Sequence, residues 1–212
     1  MSSLAWVLAA ATAAAAVTDW WAVATGHRSV VHVAKPATLA ALIGVALALE
    51  PFDASVRAAM VVGLGFCLVG DVLLMLPERW FTGGLAAFLA AHLAYIVALQ
   101  WARTSWAAAA VGLAVVVAGG TTVGRRILAA VVGGSHRTVI RPVAAYLVVI
   151  SAMVVSAFGT AAAWAIAGAL LFYASDATLA WNRFVEARRG GPLAVIVTYH
   201  LGQAGLVAWL AA

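Results

Sequence analysis

Charge is scarce in this chain. Asp, Glu, Lys and Arg make up only 9% of its 212 residues, against 66% hydrophobic ones. A water-soluble domain of this size cannot hide so much apolar surface, so a soluble fold is excluded. Cysteine is almost missing too. With Cys67 alone, an intrachain disulfide is impossible and a cysteine-built zinc cage is disfavoured. Several catalytic signatures are absent: His-Glu-x-x-His, Gly-x-Ser-x-Gly, a Walker lysine and a glycine-rich dinucleotide loop. The first residues, MSSLAWVLAAATAAAAVTDWW, lack the basic region of a secretory signal and are expected to form a first, uncleaved span. A pI near 10.1 does not indicate nucleic acid, because the basic residues are scattered over short segments between apolar runs.

Long apolar stretches dominate what remains, with a mean hydropathy of +1.08. A spanning helix needs about 20 mainly apolar residues. Charges and turn residues divide the chain into about eight such spans, expected near 4–24, 34–50, 56–76, 81–101, 105–122, 141–159, 161–181 and 193–211. The run from Gly120 to Arg141 is expected to hold a loop and an extension of the fifth helix. The expected fold is therefore an all-α membrane protein, a single transmembrane domain over 1–212. Lys and Arg in the loops set orientation. The odd-numbered loops hold ten (Arg28, Lys35, Arg79, Arg125, Arg126, Arg137, Arg141, Arg183, Arg188 and Arg189), while the even-numbered ones hold only Arg57 and Arg103. Positive-inside bias then places the odd loops in the cytoplasm and both termini outside, in a multi-pass protein of a bacterial inner (cytoplasmic) membrane.

The few polar residues inside the apolar runs recur in order. The first half carries Lys35-Pro36, Gly70-Asp71 and His92; the second carries Arg141-Pro142, Ser175-Asp176 and His200. The partners lie 106, 105 and 108 residues apart. This pattern predicts two parallel four-helix repeats, approximately 1–104 and 105–212, related by an axis along the membrane normal. Asp71 lies six residues before Pro77, about 9 Å from the inner boundary at 1.5 Å per residue. Asp176 lies at a similar depth before Arg183. Lys35 and Arg141 are expected to open the second and sixth helices at the cytoplasmic surface, with the histidines deeper. If the two units pack about their axis, one cavity holds all six.

An ionised side chain in hydrocarbon costs roughly 2.5–3.5 kcal/mol on insertion scales, and such residues are usually functional. The bland alternative is a pair of interhelical ion pairs holding the bundle together, although buried pairs often add little net stability. His92 and His200 are equally readable as hydrogen-bonded core histidines. Their differing depths argue against a zinc site shared with the aspartates. Tyr95, Tyr146, Tyr173 and Tyr199 read as packing or interfacial residues. Tyr173, Asn182 and Arg183 nevertheless accompany Asp176 closely enough to serve as orienting groups. Asp19 is expected to cap the inner end of the first helix, and Glu50, Asp53, Glu78 and Glu186 to be solvated.

The stretches KPATLAALIG (35–44), LGFCLVGDVLLML (64–76), GLAAFLAAHLAYI (84–96), GALLFYASDATLAWNRF (168–184) and TYHLGQAGL (198–206) resemble the YhhN family. That family includes the lysoplasmalogenases, eight-span membrane hydrolases, and the resemblance covers nearly the whole chain. It implies hydrolysis of the vinyl ether bond of a lysoplasmalogen to a fatty aldehyde and glycerophosphoethanolamine or glycerophosphocholine. Such a reaction needs one carboxylic acid to protonate the alkene carbon and one carboxylate to activate water, a logic shared with glycoside hydrolysis. Asp71 and Asp176 are the expected catalytic pair, titrating together in a low-dielectric cavity. Lys35 and Arg141 would bind the phosphate, with His92, His200, Tyr173, Asn182 and Arg183 lining the substrate. No metal or organic cofactor is required. The partners implied are a lysophospholipid and membrane lipids, not nucleic acid. A proton-coupled small-molecule transporter using the same aspartates is the alternative, against which stand the near-surface acids and the lack of strongly Gly/Pro-broken helices.

Overall fold

The computed structural model describes residues 2–134 and 139–212; Arg137, assigned above to a cytoplasmic loop, lies outside the described residues. The described chain is helical, with helices α1 (Ser3–Thr25), α2 (Arg28–Ala48), α3 (Ala54–Met75), α4 (Phe81–Trp101), α5 (Trp106–Gly119), α6 (Arg125–Gly133), α7 (Ile140–Gly159), α8 (Ala163–Ala180) and α9 (Gly191–Trp209). They amount to eight segments long and apolar enough to cross a membrane. Their ends follow local chemistry. Ser2, Asp53 and Ser105 cap α1, α3 and α5 by accepting first-turn amides. Gly26 closes α1 at φ 78°, a left-handed turn that glycine adopts without strain.

One boundary differs from expectation in a way that matters. α2 begins at Arg28 rather than near 34, because no turn residue interrupts RSVVHVAK. Lys35 therefore lies seven residues inside the helix, about 10 Å from its start, rather than at a surface mouth. The extension expected of the fifth span is present, running on to Gly133 through one widened (π) turn at Gly120–Gly124. Thr121 and Thr122 return their hydroxyls to carbonyls of the preceding turn there, and Ile127 and Val131 then pack under Val143.

Two antiparallel pairs, α3 with α4 and α8 with α9, form the best-packed parts of the bundle. Small residues let the second pair approach closely. A Cβ on Gly168 would lie 2.6 Å from the backbone N of Leu206, and one on Gly202 would lie 2.8 Å from that of Phe172. No side chain fits at either place. Between the pairs sits an aromatic layer centred on the fully buried Phe172, which contacts His92 (4.8 Å between ring centroids) and Tyr199 (5.3 Å). This layer brings α4, α8 and α9 together beneath the two aspartates.

Candidate active site

Asp71 and Asp176 line one cavity of about 260 Å³. Its walls are mainly apolar, including Leu85, Ile127, Val143, Leu147, Ile150 and Ile196. Lys35, Tyr146, Tyr173, Arg183 and Tyr199 supply most of its polar lining.

Both oxygens of Asp71 face donors. Lys35 Nζ lies 2.9 Å from Oδ1, and Tyr199 Oη donates to Oδ2 at 2.8 Å. Asp71 is fully buried, at 0% exposure. An ammonium on one oxygen and a phenol on the other suit an ionised carboxylate, which accepts at both positions. Gly70 makes room for this arrangement: a Cβ there would stand 2.6 Å from the Phe88 ring.

The surroundings of Asp176 are different. Tyr146 Oη donates to its Oδ2 at 2.5 Å, and His92 Nε2 lies 3.7 Å from the same oxygen. His92 Nδ1 is 2.5 Å from the Phe88 carbonyl, which can only accept, so Nδ1 carries a hydrogen. In the neutral imidazole, the Nε2 lone pair then points towards Asp176. Among the described residues, no cation lies within ion-pairing distance of Asp176 other than a protonated His92. Its side chain is 15% exposed, against 1% for Asp71. Ser175 Oγ donates to the Val195 carbonyl at 2.9 Å, tying this stretch of α8 to α9. Two of the four tyrosines read from sequence as packing residues, Tyr146 and Tyr199, are thus direct partners of the carboxylates. Spacing along one chain carries no signal for that, since each donor comes from another helix.

One rim of the cavity is built on another π turn, Trp181–Val185. Arg183 projects from it, stacks on Phe81 at 3.6 Å and pairs with Glu78. It lines both the cavity and an adjoining vestibule of about 290 Å³ that also includes Leu74, Leu179 and Asn182. Glu78 is therefore an ion-pair partner, although 76% of its side chain is exposed.

Three expected site residues stand apart. Arg141 is exposed at the second position of α7 and is not among the residues lining the cavity. Lys35 sits eighth in α2, so the two cation-proline pairs enter at different depths, and Tyr146, deeper on α7, meets Asp176 instead. Asn182 is committed to the turn, its Oδ1 accepting from the Arg188 amide at 3.2 Å. His200 faces away from the cavity, where its Nδ1 accepts from Trp20 Nε1 at 3.1 Å. Asp19 is not a helix-end cap: it lies fully buried within α1, with Oδ2 3.9 Å from His200 Nε2.

Known proteins give this arrangement a context. Lysoplasmalogenase TMEM86B of Homo sapiens is 34% identical over 137 residues, covering 64% of this chain and 55% of that protein. The lysoplasmalogenases of Mycobacterium bovis and Mycobacterium tuberculosis are each 34% identical over 170 residues, 76% of this chain and 62% of theirs. The chain thus spans little more than half the length of these curated relatives. No solved structure matches it at a significant level. The sequence profile of the YhhN family matches residues 30–210, most of the chain and every residue of the cavity just described, and the protein belongs to the YhhN family.

Proposed function

We propose that this protein is a membrane-embedded ether hydrolase that cleaves the vinyl ether bond of a lysoplasmalogen, using Asp176 as acid and Asp71 as base. One observation carries the reading: two carboxyls in one largely apolar cavity have opposite environments. Asp71 is paired with an ammonium, whereas Asp176 has a phenol and an imidazole beside it. Such a division assigns acid and base in hydrolases of acetal-like bonds.

The chemistry closes without external proton donors. Asp176 gives its proton to the β-carbon of the alkenyl ether, forming an oxocarbenium ion whose charge faces Asp71. Water adds to the oxocarbenium carbon as Asp71 takes its proton, and a hemiacetal results. Asp71 then returns that proton to the leaving glycerol oxygen while Asp176 recovers one from the hemiacetal hydroxyl. The C–O bond breaks, leaving a fatty aldehyde and a glycerophospho-alcohol, with both carboxyls as they began. Tyr146 and Tyr199 hold the carboxyls in place, and the Lys35 ammonium faces Asp71 as its counter-charge. Arg183, rather than the exposed Arg141, takes the phosphate by exchanging Glu78 for it. The alkenyl chain lies along Leu85, Val143, Leu147 and Ile150.

The test is aldehyde release from lysoplasmenyl-phosphoethanolamine by purified protein in detergent. Wild type releases aldehyde, and folded Asp71→Asn and Asp176→Asn variants lose at least about a hundredfold, the lower end for a general acid or base. Near-normal turnover by either variant refutes the dyad. Solute uptake into proteoliposomes without hydrolysis would instead support a carrier.

A further inference from the structure

Asp19 is a third acid inside the bundle, and the hydrolysis proposed above does not use it. It is fully buried in α1, and neither of its carboxyl oxygens has a hydrogen-bond partner among the described residues. It does not line the cavity that holds Asp71 and Asp176, and it precedes the residues matched by the family profile. Burying a carboxyl without hydrogen bonds lowers stability, so packing does not explain it.

The α1–α2 hairpin decides what Asp19 meets. Its turn is Gly26–His27. Asp19 lies seven residues before Gly26 and Lys35 seven after Arg28, so both stand about 10 Å from the turn on packed, antiparallel helices. The two are level, and Asp19 lies within electrostatic range of both Lys35 and Asp71. The other candidate cation is His200 on α9, whose Nε2 is 3.9 Å from Asp19 Oδ2. Its Nδ1 accepts from the Trp20 indole, which can only donate, so His200 is neutral and carries its hydrogen on Nε2. Among the described residues this leaves Lys35 as the cation for Asp19. Lys35 Nζ is 2.9 Å from Asp71 Oδ1 and 5.8 Å from the centroid of the Tyr199 ring, and that ring adjoins His200 at 5.5 Å between centroids. One ammonium thus serves two fully buried carboxyls.

We propose that Asp19 is a positioning residue for the hydrolysis, a second counter-charge that keeps the Lys35 ammonium paired while Asp71 holds the proton taken from water. The role rests on the hydrolase reading above. If Lys35 had Asp71 alone, protonating that carboxyl would strand a cation in an apolar site. With Asp19 ionised, the cluster of Lys35, Asp71 and Asp19 passes instead from one net negative charge to none. When Asp71 returns its proton to the glycerol oxygen, the first balance is restored. Asp19 neither gains nor loses a proton and does not touch the substrate.

Purified full-length Asp19→Asn tests this by activity and by heat. Aldehyde release from lysoplasmenyl-phosphoethanolamine should fall about tenfold in kcat, the effect of a unit charge about 10 Å away at an effective dielectric of about 20. KM should stay the same, because Asp19 lies outside the substrate cavity. The midpoint of thermal unfolding should hold or rise, since an unpartnered buried carboxyl is gone. A midpoint that falls in step with activity would make Asp19 merely structural and overturn the role. A cycle with Lys35→Met supplies a readout independent of turnover. Asp19→Asn should raise the midpoint more in the Lys35→Met background, where Asp19 has lost its ammonium, than in wild type. Additive midpoints overturn the shared ammonium, and an unchanged kcat overturns the positioning role while the hydrolase reading stands. Wild-type protein that releases no aldehyde overturns the hydrolase reading instead, and the cycle, read by heat alone, still decides whether Lys35 serves both carboxyls.

Discussion

Tyr199 Oη, 128 positions further along the chain, donates to Asp71 Oδ2 at 2.8 Å. The bond joins α9 to α3 and fixes the orientation of a carboxylate that Lys35 holds from its other side. Tyr146 does the corresponding work for Asp176. In the proposed mechanism both tyrosines act through a carboxyl rather than on the substrate. Tyr199→Phe and Tyr146→Phe keep the ring packing and lose one donor each. Aldehyde release should fall about five- to a hundredfold in each, the value of a buried hydrogen bond to a charged or reacting group, mostly in kcat. Steady-state kinetics on folded protein check this, and unchanged kcat in both would show the bonds to be bystanders.

Lys35 is the ammonium partner of a fully buried carboxylate. Removing one partner of such a pair leaves an uncompensated charge, a loss of about 3–5 kcal/mol. Lys35→Met should therefore sharply lower the midpoint of thermal unfolding. Adding Asp71→Asn removes the stranded charge, so the double variant should regain much of the loss while remaining inactive. An additive double mutant would contradict the pairing.

Arg183 stacks on Phe81 at the cavity rim and is paired with Glu78. Arg183→Gln should raise KM for a phosphate-bearing substrate about ten- to a hundredfold, the value of a charge-assisted hydrogen bond, with a smaller effect on kcat. Glu78→Gln removes a competitor for the guanidinium. It should leave stability nearly unchanged, because exposed ion pairs contribute only about 0–1 kcal/mol. Substrate titrations of the two variants decide the point, and equal KM values would move the head group elsewhere.

The α8–α9 crossing sets the position of Asp176 relative to Tyr199. Gly202→Ala would press a methyl group against the backbone of Phe172 and should cost about 1–3 kcal/mol by overpacking. Gly65→Ala on α3 has open space around the new methyl. It should be neutral or stabilising by up to about 1 kcal/mol on helix propensity. Thermal unfolding of the pair in one detergent separates the effects; equal midpoints would mean that the crossing tolerates side chains.

Apolar runs and their punctuation determined the helices of this protein by themselves, since hydrocarbon forces a crossing chain to satisfy its backbone within each helix. Asp71 and Asp176 were legible for the same reason: an acid inside an apolar run stands out on composition alone. The depth of Lys35 was not, because where α2 starts depends on which of several uninterrupted residues the bundle accommodates. Matching Lys35-Pro36 to Arg141-Pro142 made the two cations look equivalent, yet one lies inside its helix and the other is exposed at a helix start. His92 and His200 looked alike in the same way, and the bundle turned one towards Asp176 and the other towards Trp20 and Asp19. Only tertiary structure decided these partners, because a contact between helices far apart in the chain is set by crossing angle and rotation, and neither leaves a periodic mark in the sequence.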